Sequence, residues 1–201
     1  MARRFESFEK IAKKAEEKNV YEKNAKASLA WFRREVGRMT GVTETKMIRS
    51  PDLKPVTRAL RGRMYMYGYD PKHKETLPYY DTFPLIIMVG PAKGGFYGLN
   101  LHYLDLKRRA ILFDALSSKF RKPNENDELE RFMLSFEKLS AGGNLRFFEP
   151  CWKHYLTKQI RTRIIQVPAD YWEPALFLPT DNFQKKSRRS VWRESKKILS
   201  R

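Results

Sequence analysis

The chain is nearly without cysteine. Cys151 stands alone among 201 residues, so neither an internal disulfide framework nor a cysteine-based zinc site is available. Histidine is almost as scarce: His73, His102 and His154 lie far apart in sequence, which speaks against a histidine-rich metal centre. Long hydrophobic runs are missing too. The longest, residues 83–89 (FPLIIMV), is far too short to span a bilayer. The opening MARRFESFEK carries two arginines but no apolar stretch of the kind a secretory signal needs. These gaps lead us to expect a soluble protein made in a reducing cytoplasm, with no membrane contact, metal or cofactor.

Acid is also in short supply. Lys and Arg number 41 against 23 Asp and Glu, a formal charge of +18. A hydrophobic fraction of 41% with 13% aromatics argues against wholesale disorder. The length suits one compact domain with appendages, or two small ones, and can bury a core. The charge is uneven: residues 1–49 carry +6, residues 50–149 carry +4, residues 150–182 carry +1 and residues 183–201 carry +7. Both ends are therefore basic around a more balanced middle. The expected organisation is an N-terminal helical arm (1–49), an α+β core domain (50–182) and a basic C-terminal segment (183–201).

In that last segment Lys185, Lys186, Arg188, Arg189, Arg193, Lys196, Lys197 and Arg201 face a single acid, Glu194. Such density calls for a polyanion or an acidic protein surface, and phosphate backbones are the commonest such partner because each neutralised phosphate releases a counterion. The charge leaves the type of nucleic acid open. The first seven of these cations form the candidate DNA-contacting set. Val191, Trp192 and Ile198 lie among them, and a purely electrostatic tail has no use for an indole. A helix over 190–199 that docks by its apolar anchors fits better.

The rest of the chain reads in short pieces. Residues 3–39 show apolar positions at helical spacing, with Lys and Glu alternating on the other face. Residues 63–69 (RMYMYGY) alternate Met with Tyr, which predicts a strand with one buried and one half-exposed face. Residues 83–89 and 96–103 predict two strands joined by GPAKGG as a hairpin. A helix from Leu106 to Phe120 is expected to carry Lys107, Arg108 and Arg109 on its outer side. A further helix follows residues 126–127. A short helical piece near 152–156, a strand over 163–167 and an edge strand at 176–178 complete the pattern. Strands mixed with helices without regular alternation point to α+β, with a small mixed or antiparallel, barrel-like sheet.

Chemical constellations are sparse. Gly90, Gly94, Gly95 and Gly98 lack the Gly-Lys-Ser/Thr ending of a phosphate-binding loop, so a turn is the better reading. The stretch KGGFYGLNL distantly echoes the aromatic motif of RNA-recognition domains but departs from its spacing, which leaves Phe96 and Tyr97 as core or interface residues. Tyr65, Tyr67, Tyr69, Tyr79 and Tyr80 supply either an interface or the cover of a small barrel. Asp70, Asp81, Asp105 and Asp114 with Glu44 and Lys46 are the candidates for a metal-dependent nuclease, but the Glu-x-Lys precedes the aspartates, the wrong order for the common nuclease core. His102 reads as a hydrogen-bonded structural histidine.

The middle of the chain also carries a family pattern. Tyr69-Asp70-Pro71-Lys72, Leu77-Pro78-Tyr79-Tyr80-Asp81 with Phe83-Pro84, and Gly95-Phe96-Tyr97-Gly98-Leu99-Asn100-Leu101-His102-Tyr103-Leu104 resemble the DNA end protectors of contractile-tailed bacteriophages. Leu178-Pro179-Thr180, Phe183, Val191-Trp192 and Ser195 are similar as well. The resemblance implies a non-enzymatic head-completion protein of the virion that binds the ends of packaged double-stranded DNA. The alternative is a tail or baseplate subunit that docks acidic surfaces of other virion proteins, with Trp192, Tyr79, Tyr80, Phe96 and Tyr97 as interface residues.

Overall fold

A computed structural model describes residues 55–117, 148–168 and 172–200. The helices expected over 3–39 and after 126–127, together with Glu44 and Lys46, lie outside the described residues. Among those described, eight strands form two sheets. They are β1 (Pro55–Val56), β2 (Met64–Met66), β3 (Tyr80–Asp81), β4 (Leu85–Ala92), β5 (Gly95–Asn100), β6 (Trp152–Leu156), β7 (Ile164–Val167) and β8 (Phe183–Gln184). Helices α1 (Leu106–Ser117), α2 (Trp172–Phe177) and α3 (Arg188–Leu199) pack with them. The larger sheet has the order β1-β7-β2-β4-β5-β6, antiparallel throughout, and the smaller pairs β3 with β8.

The class is α+β, as the pattern of elements predicts. The sheet is open, with β1 and β6 at its edges, and does not close into a barrel. The alternation of Met and Tyr in β2 has a consequence larger than expected. Because side chains alternate across a strand, Met64 and Met66 enter one core while Tyr65 enters another, joined there by Tyr67 just past the strand, and all four are buried. Helices α1 and α2 cover the methionine face through Ala110, Leu112, Trp172, Ala175 and Leu176. On the other face Tyr67, Tyr69, Phe96 and Tyr155 meet edge to face or tilted, with ring centroids 5.0–6.2 Å apart. The half-exposed face expected for residues 63–69 is thus a second core, so Tyr65, Tyr67 and Tyr69 are interior residues.

The hairpin is as read from its glycines. Gly94 turns with φ +74°, and a Cβ on Gly95 would lie 1.8 Å from the Tyr155 carbonyl oxygen. Neither rotation nor side-chain movement relieves a clash with backbone. Gly95→Ala is therefore expected to destabilise the fold by about 1–3 kcal/mol through displacement of β6, read as a lower urea midpoint at unchanged slope. Gly94→Ala, strained only by its dihedral, is expected to lose less, about 1 kcal/mol.

Three local expectations are corrected. Residues 152–156 form the edge strand β6, because Tyr155 and Trp152 pack on opposite faces and the backbone pairs with β5. Residues 176 and 177 end helix α2 and Leu178 follows it; at the start of the helix the Trp172 indole donates to Val167 O at 2.9 Å. The strand expected over 96–103 stops at Asn100, whose side chain accepts from His102 N and starts a 3-10 turn at Leu101–Tyr103.

Candidate nucleic-acid interface

Helix α3 is built to show two opposed faces. Ser187, in extended backbone, accepts from Ser190 N with its hydroxyl and so satisfies one free amide of the first turn. Val191 and Ser195 are buried, and Val191 belongs to the main core, where its burial contributes about 1.5–3 kcal/mol. At about 100° per residue, Arg189, Arg193, Lys196 and Lys197 fall within one arc of about 100°, on the side away from Val191 and Ser195. All four are exposed. Arg189, Arg193 and Lys196 make no side-chain hydrogen bond or ion pair among the described residues, and Lys197 lies within electrostatic reach of Glu194.

The other three cations of the candidate set are engaged within the molecule. Lys185, at φ 68°, donates its ammonium to the carbonyls of Lys74, Glu75 and Leu77 at 2.6, 2.9 and 3.1 Å. Lys186 pairs with Glu194 at 2.6 Å and lies 4.7 Å from the Tyr79 ring centroid. That hydrogen bond holds the Glu194 carboxyl below its usual range. Burial, with Glu194 alongside, pushes the Tyr79 hydroxyl up to about 12. Arg188 pairs with Asp181 at 3.0 Å and lies over Trp192. These contacts place Lys185, Lys186 and Arg188 as struts that hold α3 to the loop over 74–77 and to the residues before the helix.

Under the helix lies a buried polar network. Asp81 accepts from the His102 Nδ1 at 2.7 Å, from Asn100 Nδ2 at 3.1 Å and from the amides of Phe83 and Asn182 at 3.0 and 3.2 Å. Burial opposes ionisation of Asp81, but His102 and the hydrogen bonds outweigh it and hold its carboxyl below the ordinary value. Thr180 Oγ1 sits 3.3 Å from His102 Nε2. Hydroxyl, imidazole and carboxylate thus line up in the order of a nucleophilic relay. Yet Asp81, His102 and Thr180 are 3%, 0% and 2% exposed, so no substrate reaches the hydroxyl. The network serves the fold, as the sequence reading of His102 holds.

Arg109 completes it. The sequence places this residue on the outer side of α1, but it is fully buried. Its guanidinium donates to the carbonyls of Leu104, Leu176 and His102 at 2.8, 2.9 and 3.3 Å and stacks 5.6 Å from Trp192. Only a planar fork reaches three separate carbonyls at once. Trp192 in turn donates to His102 O at 2.9 Å, so its indole anchors α3 inwardly and is half-buried.

The remaining candidates separate in the same way. Asp70 is held by Lys74 and Arg161, and Asp105 by Arg108, whose amide it also accepts. Asp70, Asp81 and Asp105 therefore do not converge, the side chain of Asp114 lies outside those described, and among the described residues no group of three metal-ligating side chains occurs. Tyr79 packs on Tyr103 and Phe183, and half-buried Tyr80 is opposite Gln184 in the small sheet. Phe96 is interior, whereas Tyr97 is 36% exposed. Tyr97 has two neighbours that the sequence reading passed over, Trp152 and His154, with ring centroids 5.4 and 5.3 Å away. Among the described residues no helix is long and apolar enough to cross a membrane.

The model of one protein family, described as phage T4 terminal DNA protecting protein, matches residues 4–200 of the chain. No curated protein and no solved structure matches it significantly.

Proposed function

We infer function from one premise: this chain belongs to the family of the phage T4 terminal DNA protecting protein. The reading the geometry supports best is that it shields the ends of packaged double-stranded DNA in the virion, as part of head completion, by holding the phosphate backbone and without bond-breaking chemistry. One observation carries this. Arg189, Arg193, Lys196 and Lys197 form an exposed cationic face on a helix whose opposite side is fixed in the core. Arg189 stands in the first turn, where the helix dipole disfavours a cation, and that turn holds no acid to offset it. An external anion removes both penalties.

Shielding an end needs affinity without base readout, which Lys and Arg to phosphate provide. The face spans about 12 Å along the helix, enough to follow several phosphates of one strand. The test is the variant Arg189→Gln, Arg193→Gln, Lys196→Gln, Lys197→Gln. With linear duplex, the slope of log affinity against log salt is expected to fall by about 3–4, since each lost phosphate contact removes about 0.9. Protection of linear duplex from an exonuclease is expected to fall with it. An unchanged slope and unchanged protection would remove this face from the account and leave an acidic virion protein as its partner.

A further inference from the structure

We propose that Tyr97, Trp152 and His154 form a platform on which the exposed terminal base pair of duplex DNA stacks. In the β5–β6 ladder Tyr97 is opposite His154 and Trp152 is opposite Leu99, so alternation puts the three rings on one face. The rings of Trp152 and His154 tilt by 37° and 44° to that of Tyr97. Trp152 is braced against the core, while Tyr97 and His154 are exposed at its edge.

Large aromatic rings grouped at a surface call for a π-faced ligand, and every base pair at a duplex end offers one. The surroundings carry the matching charge. Lys93 is exposed in the hairpin turn that leads into β5, and Thr157 N donates to Gly94 O at 3.0 Å, which brings exposed Lys158 next to that turn. Both cations stand at the turn end of the same two strands that carry the rings, the side from which phosphates of a bound end can be met. Phosphate contacts along α3 hold any stretch of duplex. A stacking platform accepts only an end, and this is the property the cationic face cannot supply. The inference rests on the reading of α3 given above.

The test uses the full chain and two duplexes of one sequence, one with open ends and one with both ends closed by hairpin loops, each labelled with 2-aminopurine in the terminal pair. The parent protein is expected to bind the open duplex about tenfold more tightly and to change the fluorescence of its terminal label. Tyr97→Ala with His154→Ala is expected to bring open-end affinity down to the closed-end value, with the salt slope unchanged. Both side chains are exposed, and an unchanged melting temperature checks the fold. A double variant that keeps the end preference would overturn the platform, as would a parent protein that treats both duplexes alike. If the parent protein binds neither duplex, the reading of α3 falls and the platform falls with it.

Discussion

Replacing Arg109 with methionine is expected to destabilise the fold by about 3–5 kcal/mol. Two effects compete. Removing a buried cation relieves its desolvation, which is large enough to pull the guanidinium pKa down to about 10. Against this, the carbonyls of Leu104, Leu176 and His102 lose their donor in the interior, at about 1–3 kcal/mol each. The attraction of Arg109 for Asp181 and Asp81 is lost as well, and three orphaned acceptors outweigh one relieved charge. Lysine is expected to be little better, because an ammonium lacks the fork. The measurement is urea unfolding, read as a fall in midpoint at constant slope. Since Arg109 also supports Trp192, the variant is expected to bind duplex DNA more weakly although it removes no exposed charge.

Asp81→Asn is expected to lower stability at neutral pH by about 3 kcal/mol, because an amide cannot accept all four hydrogen bonds and leaves donors facing donors. The pH dependence gives a sharper signature. The folded carboxyl is held below its ordinary value of 3.8, so its contribution is fully present above that value and is lost as pH falls through the folded one. The difference between parent and variant is therefore expected to shrink as pH drops below 3.8. A gap that stays constant into acid would show that Asp81 is not ionised in the folded protein.

What could be read in advance follows the range of the contacts involved. The Met and Tyr alternation, the glycines of the hairpin and the amphipathic terminal helix are local signals, and each appears where expected. Arg109 stands three residues from both Leu106 and Leu112, so helical spacing alone puts it on the apolar face; grouping it by charge with positions 107 and 108 hides this, and its partners include Leu176 O from a distant helix. Residues 152–156 carry no such local signal. Their strand character comes from pairing with β5, more than 50 residues earlier. The cationic set was legible as composition, but its division was not. Lys185 is set apart from Lys196 by the loop over 74–77, which folds back to receive it.

The strut made by Lys185 bears on how a binding event would proceed. A floppy cationic tail must be ordered when it engages its ligand, which forfeits about 1–2 kcal/mol of entropy per residue fixed. Here the β3–β8 pair, the Lys185 clasp and the seat of Val191 have already frozen that segment during folding. On the proposed reading, residues 183–200 would meet an anionic lattice as a rigid comb, so Lys185→Ala is expected to weaken affinity for linear duplex through lost pre-order, beyond the loss of one cation.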